Sequence, residues 1–459
     1  MAAPYLIIPI ETKVRELHAK CLLAAHAAQA GMRVVLGDQR VIAESLHQLP
    51  RGIYVDKSIS RTKTAHYHRL RRLGFAVVAW CEEGLTYRDK AKYQFERVYP
   101  ASVEPLDAFF AWGDVHREDI LEIVPGAGDK IHVHGNPRFD LLRSELRDIF
   151  RAEANEITSR FGPYILVNSN FSKFNSFQGR QDFIEVLRTR GILTKQEEAD
   201  YYTRFIAHLG TVFGAFVALI PQLAKALPDH QIIVRPHPSE NHGRWQDELR
   251  NVANVHVTGE GNVAPWIMSA TAVIHNACTT GVESVLLDRP TIAYVPVVHE
   301  LFNRLTYLPN AVGIIAQTAD EVIEATTMAR ATPSSGARTT AAQNQLLARH
   351  VANARGPLSV ERIIRTLVEL HGDGLPHASS WQMTTARLHS AARKAAVRAK
   401  RTIRQDKTLA AYMKQKFPGL SLAEVENVFR AIDAVSPQAT NLRIEAHPRL
   451  PHCFVIGAV

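Results

Sequence analysis

Apolar positions in the first third of the chain fall into short β-branched or aromatic runs at residues 6–9, 33–36, 52–55, 75–80 and 108–112. Between them lie stretches with helical spacing. In residues 12–30, Val14, Leu17, Cys21, Ala24 and Ala28 recur on one helical face and Gly31 closes the end. Strand, helix and strand in repetition predict a parallel sheet with helices on both faces. A second series follows His134-Gly135-Asn136-Pro137-Arg138-Phe139-Asp140, with strands expected at 164–167, 231–234, 255–258, 272–275 and 291–295 and helices at 201–227, 264–269 and 281–287. The pattern therefore predicts an α/β chain of two Rossmann-like domains, residues 1–136 and 137–371, facing across a cleft, with a basic helical extension over 372–459.

The longest apolar stretch, residues 205–220, carries His208 and two glycines and is followed by Pro221. It falls short of the roughly 20 residues needed to span a bilayer and reads as a buried helix. The N-terminus lacks a basic region and meets Glu11 too early for a secretory signal. With 46% hydrophobic and 22% charged residues, a soluble globular chain is expected. Cys21, Cys81, Cys278 and Cys453 form no CxxC pair, so neither a disulfide framework nor a zinc site is expected, and a reducing cytoplasm fits.

A formal net charge of +9 favours an anionic partner. Much of the basic character lies in residues 391–407, where Arg393, Lys394, Arg398, Lys400, Arg401, Arg404 and Lys407 alternate with alanines. Such a helix lies on anionic lipid, giving peripheral attachment to the inner face of the cell membrane, or else packs back on the body with a solvated face. No nucleic acid partner is expected, because no recognisable binding module is present. Beyond this helix, Ser421-Leu422-Ala423-Glu424 reads as a capping box opening a helix to about residue 434, and the last stretch carries no clear pattern.

Three stretches carry candidate chemistry. Gln231-Ile232-Ile233-Val234 stops abruptly at Arg235-Pro236-His237-Pro238, which leaves His237 at a strand tip between two prolines. A cationic imidazole there, with Arg235 beside it, would stabilise a phosphate; the same residues also read as a strand terminator. Trp80-Cys81-Glu82-Glu83-Gly84 follows an apolar run, and burial would raise the pKa of the less solvated carboxylate, with Gly84 permitting the turn that presents it. A solvated acidic turn is the alternative. Finally, strand 272–275 runs through Asn276-Ala277-Cys278 into Thr279-Thr280-Gly281, where a helix start with hydroxyl donors would bind phosphate and Glu283 would reach a ribose, or where a helix is simply capped. The first domain has no Gly-x-Gly-x-x-Gly loop, which argues against a dinucleotide.

Paired acids before a glycine, then His-Pro, then a hydroxyl pair resemble, in order and spacing, the three signature motifs of bacterial sialyltransferases. The flanks His134–Asp140 and Arg235–Pro238 resemble more closely the bacterial transferases of 3-deoxy-manno-octulosonic acid (Kdo) in capsule and lipopolysaccharide assembly, also described as surface carbohydrate biosynthesis proteins. The resemblance covers roughly residues 4–370. It implies a GT-B glycosyltransferase that uses a CMP-activated ulosonic acid and a cell-surface glycan or glycolipid acceptor, with the first domain on the acceptor side and the second holding CMP. It also implies that His237, Pro238, Thr279, Thr280 and Gly281 bind the CMP-sugar, with Glu283 near its ribose. Glu83, before Glu82, would be the acid/base on the acceptor hydroxyl, and Asp140 a candidate nucleophile if configuration is retained. Asn168, Ser169 and Asn170, at the end of the first strand of the second domain, would line the donor pocket or simply form a polar loop.

No metal or other cofactor is expected, because there is no Asp-x-Asp cluster in the expected cleft and fixed cationic and amide donors can serve a single-phosphate leaving group. Competing readings keep the fold and change the donor, to a CDP-polyol phosphotransferase or a UDP-sugar transferase or epimerase. Another makes the chain a non-catalytic scaffold in polysaccharide assembly.

Overall fold

The computed structural model describes residues 4–87, 89–177, 184–185, 188, 193, 196–302, 307–331, 339–372, 374–375, 379–403, 413–436 and 440–459. Its chain divides into two compact units, residues 1–149 with 347–459 and residues 150–346.

In the first unit, β1 (Tyr5–Ile10), β2 (Arg33–Asp38), β3 (Gly52–Asp56), β4 (Ala76–Trp80), β5 (Ala108–Ala111) and β6 (Ile131–Val133) form a parallel sheet. All but the short β6 match the expected runs. In the second unit, β7 (Tyr164–Asn168), β8 (Gln231–Arg235), β9 (Val255–Val257), β10 (Ala272–His275), β11 (Thr291–Tyr294) and β12 (Ile314–Ala316) form another, ordered β12-β11-β10-β7-β8-β9. Both units are Rossmann-like, and their continuous apolar strands suit sheets covered on both faces.

The C-terminal part is not a separate extension. Antiparallel β13 (Leu442–Ala446) and β14 (Cys453–Ala458) complete the first sheet on the free edge of β2, giving the order β13-β14-β2-β1-β3-β4-β5-β6. The helices Ser359–Gly372 and Leu422–Val435 pack over the first helix, Lys13–Gln29. That helix is consequently buried almost all round from Leu17 to Ala28, rather than on the one face its spacing predicts. The expected divisions at 136 and 371 shift accordingly, because a change of composition marks where a segment differs but not where it docks. The capping box at Ser421 and Glu424 forms with both of its hydrogen bonds.

The basic helix, Ser380–Ile403, packs back on the first unit. Lys394 Nζ donates to Ser45 Oγ at 2.9 Å, Ser390 is buried, and Ala386 lies against the core. Arg404 and Lys407, and the side chains of Arg398, Lys400 and Arg401, lie outside the described residues.

The apolar stretch at 205–220 belongs to a longer helix, Gln196–Ala226, which by length and composition could cross a membrane. Its inner side, Val212, Phe213, Phe216, Leu219, Ile220 and Leu223, is buried against Ile165, Val167, Ile232 and Val234. Each such side chain contributes roughly 1.5–3 kcal/mol by leaving water, which fixes the helix on the second sheet.

Candidate functional site

In the second sheet β8 and β9 extend from β7 on one side and β10 to β12 on the other, so the strand order reverses between β7 and β10. Open α/β sheets bind ligands outside the carboxyl ends of the strands at such a reversal. The loops leaving those two strands carry Ser169 and Asn170, and Asn276 to Thr280. They are tied together, because the Asn170 amide donates to Asn276 Oδ1 at 2.7 Å. Ala277 sits at φ +52°, a left-handed conformation that a Cβ disfavours and that sharpens the turn into the helix Thr279–Leu286. Cys278 holds the N-cap position without a side-chain capping bond, unlike the Ser, Thr, Asp or Asn usual there. Gly281 allows this helix to press on His275, whose ring would lie 2.4 Å from an added Cβ.

His237 follows β8 and is half-buried. Its Nδ1 accepts from the Ser239 amide at 3.1 Å, which in the neutral ring leaves the proton on Nε2. Pro238 is exposed. The structure thus brings Ser169, Asn170, His237, Thr279, Thr280 and Gly281 to one end of one sheet. Glu283 is buried one turn into the helix, 7% exposed.

Glu240, absent from the sequence reading, organises this end. Fully buried, it accepts from Ser169 Oγ (2.9 Å), the amides of Phe171 (2.9 Å) and His237 (3.1 Å), and Trp245 Nε1 (3.0 Å). One carboxylate therefore clamps the loops after β7 and β8. Burial pushes it above the usual carboxylate range against the pull of these donors. The only hint in sequence is its place three residues after His237.

Arg235 departs from expectation. Its guanidinium donates to the carbonyls of Glu260 (2.7 Å) and Gly261 (3.2 Å) and stacks over Trp266 at 4.7 Å. Burial lowers it to about 10. It braces the loop after β9 instead of supplying a charge beside His237.

In the first unit Glu82, Glu83 and Gly84 follow β4. Glu83 has a 54% exposed side chain and pairs with Arg97. Glu82 is the more sheltered, receiving Trp80 Nε1 at 2.7 Å and lining a pocket with Arg15, Glu16, Lys20, Trp80 and Arg138. Burial alone would raise its carboxyl, but Lys20, Arg15 and Arg138 outweigh burial and hold it below the ordinary range, the reverse of the expected shift. The raised acid is its neighbour Glu16, by burial and by the charge of Glu82, although Glu16 also accepts from Lys20 at 2.5 Å. Gly84 serves space more than turn geometry: an added Cβ would meet His116 Cε1 at 2.4 Å, and the residue does not adopt positive φ.

Asp140 is a structural anchor and not a nucleophile. It is fully buried and accepts from Asn353 Nδ2 (2.6 Å) and the amides of Ser359 (2.8 Å) and Val360 (2.8 Å), holding the start of the Ser359–Gly372 helix. Among the described residues no group of three or more His, Cys, Asp or Glu could hold a metal ion.

No protein-family model matches the chain, and no curated protein does. Solved structures similar to it include the UDP-GlcNAc 2-epimerase of Methanocaldococcus jannaschii, at 14% identity and a TM-score of 0.47, with 80% of this chain and 99% of that one covered. The UDP-GlcNAc 2-epimerase of Neisseria meningitidis is 12% identical at a TM-score of 0.49, covering 80% and 100%. The wall teichoic acid polymerase TagF is 9% identical at a TM-score of 0.49, covering 81% and 89%.

Proposed function

We propose that the protein is a glycosyltransferase that moves Kdo or a related ulosonic acid from its CMP-activated form to a cell-surface glycan or glycolipid. The observation that carries this reading is the tied pair of loops at the β7/β10 reversal, with a helix start and His237 beside it. One phosphate meets there the hydroxyls and amides of Thr279 and Thr280 and the Nε2 of His237. Because Nδ1 of His237 already accepts a hydrogen bond, Nε2 donates to a phosphate oxygen even in the uncharged ring.

The transfer breaks the bond between the anomeric carbon and the CMP phosphate oxygen and forms one to the acceptor oxygen. The acceptor proton passes to a carboxylate. Glu83 fits this role, since reach comes before pKa in a general base and its carboxyl is exposed at a strand end. Glu82, held among Lys20, Arg15 and Arg138, keeps the loop in place.

Thermal melts in the presence of CMP, UDP or CDP-glycerol test the donor, and incubation with CMP-Kdo followed by NMR of the anomeric centre tests the reaction. CMP should raise the melting temperature most, and Glu83→Gln should abolish turnover with the CMP response intact. His237→Ala should weaken both. A larger shift with UDP removes the CMP assignment; turnover retained in both variants removes these residues from the mechanism.

A further inference from the structure

The first sheet has its own reversal, between β1 and β3, because β2 lies on one side of β1 and β3 to β6 on the other. Three lysines from separate segments meet at its carboxyl end. Lys57 follows β3, Lys63 lies in the short turn Arg61–Lys63, and Lys416 comes from the C-terminal part. Lys57 pairs with one oxygen of Glu11, Lys416 reaches the other at 3.0 Å, and Lys63 lies 2.6 Å from Asp56. Their side chains remain 17%, 21% and 17% exposed, sheltered but open to a ligand.

Around Lys57 the charges oppose each other. Glu11 and Asp56 lie beside the lysines, His66 stands 3.5 Å from Asp56, and Glu82 and Glu83 act on Lys57 from the end of β4. Burial, with Lys63 and Lys416, prevails over Glu82 and Glu83 and brings Lys57 down to about 7. Lys57, whose charge is disfavoured by burial and by two neighbouring cations at the sheet edge, is relieved by an added anion.

We propose that Lys57, Lys63 and Lys416 seat an oxyanion, a carboxylate or a phosphate, carried by the sugar that the first unit binds. This rests on the reading of that unit as the acceptor side and names the acceptor class: an acidic sugar. A bound anion raises the proton affinity of Lys57, so binding takes up a proton at pH values above about 7. Affinity is greatest on the acid side of that value and falls as pH rises through it.

Calorimetric titration of the full chain with glucuronate, glucose 6-phosphate and glucose, in two buffers of different ionisation enthalpy at about pH 8, tests this. One or both acidic sugars should bind and glucose should not, with net proton uptake; the stronger of the two identifies the oxyanion. Lys57→Met and Lys416→Met should each weaken binding by about tenfold or more, whereas Lys57→Arg should keep affinity and lose the proton uptake.

Equal binding of glucose, or full affinity in Lys416→Met together with unchanged proton uptake in Lys57→Arg, overturns the proposal even if Lys57→Met fails to fold. CMP titrated against the same variants separates the two readings. Acid-sugar binding without a CMP response leaves the seat standing and removes the donor assignment, and the converse removes only the seat.

Discussion

A methyl group on Gly84 would stand 2.4 Å from Cε1 of His116 and 3.0 Å from Cδ1 of Trp112, both held by their own hydrogen bonds. The imidazole receives the Trp112 amide on Nδ1 at 3.1 Å and meets the Tyr93 hydroxyl on Nε2 at 2.5 Å, so it has no direction in which to yield. Gly84→Ala is therefore expected to cost about 1–3 kcal/mol in chemical denaturation, the usual range for overpacking, and to displace the Glu82–Glu83 loop. A variant of unchanged stability would show that the loop has slack. Sequence alone marks this glycine as necessary but gives the wrong reason, since the contact joins the loop after β4 to His116 on the helix Asp114–Leu121, more than thirty residues further along. Glu240 is less legible still. An acid three residues after a histidine looks like a solvated side chain until folding buries it among donors from two loops.

Asp140 stitches the segment after β6 to a helix more than two hundred residues further along. Asp140→Ala would strand two buried helix-start amides and the Asn353 amide without an acceptor, at roughly 1–3 kcal/mol for each group. Stability to denaturant should fall by about 3 kcal/mol or more, with Asp140→Asn losing less because one oxygen still accepts. Parity between Ala and wild type would remove the anchor. Apolar periodicity made most strands and the first helix readable, and even the three-residue β9 through Val255 and Val257, whereas the equally short β6 and β12 do not stand out. The alternation Leu442-Arg443-Ile444-Glu445-Ala446 was a usable strand signal for β13, but nothing in it points to β2 as the sheet edge that β14 would reach.

Acid should weaken both units. Burial lowers His66 to about 4 and His116 to about 3 in the first, and His275 to about 4 in the second, where its ring nitrogens have no hydrogen-bond partner among the described residues. Each ring stays neutral in the folded chain but takes a proton in the unfolded chain below about pH 6.5. Their contribution is present above that value and lost as pH falls towards the folded-state values. Denaturant melts should thus show stability declining from about pH 6.5 downwards, before paired carboxylates such as Asp56 and Glu82, both held low, begin to take up protons. A flat profile between about pH 6.5 and 4.5 would contradict this.

The number and class of the domains were readable from alternating strand and helix signals. Their membership was not, because docking of the C-terminal part depends on contacts such as Lys13 to the Gly419 carbonyl at 2.8 Å.

The hairpin that closes the first sheet has a temporal meaning. Val34 and Leu36 on β2 pair with Ile456 and Phe454, which are synthesised only after the whole of the second unit, itself one uninterrupted segment. Synthesis therefore delivers the second unit whole while the first still shows a bare strand edge, the feature that invites mispairing in nascent chains. An edge made before the second unit is thus sealed only after it, along β2.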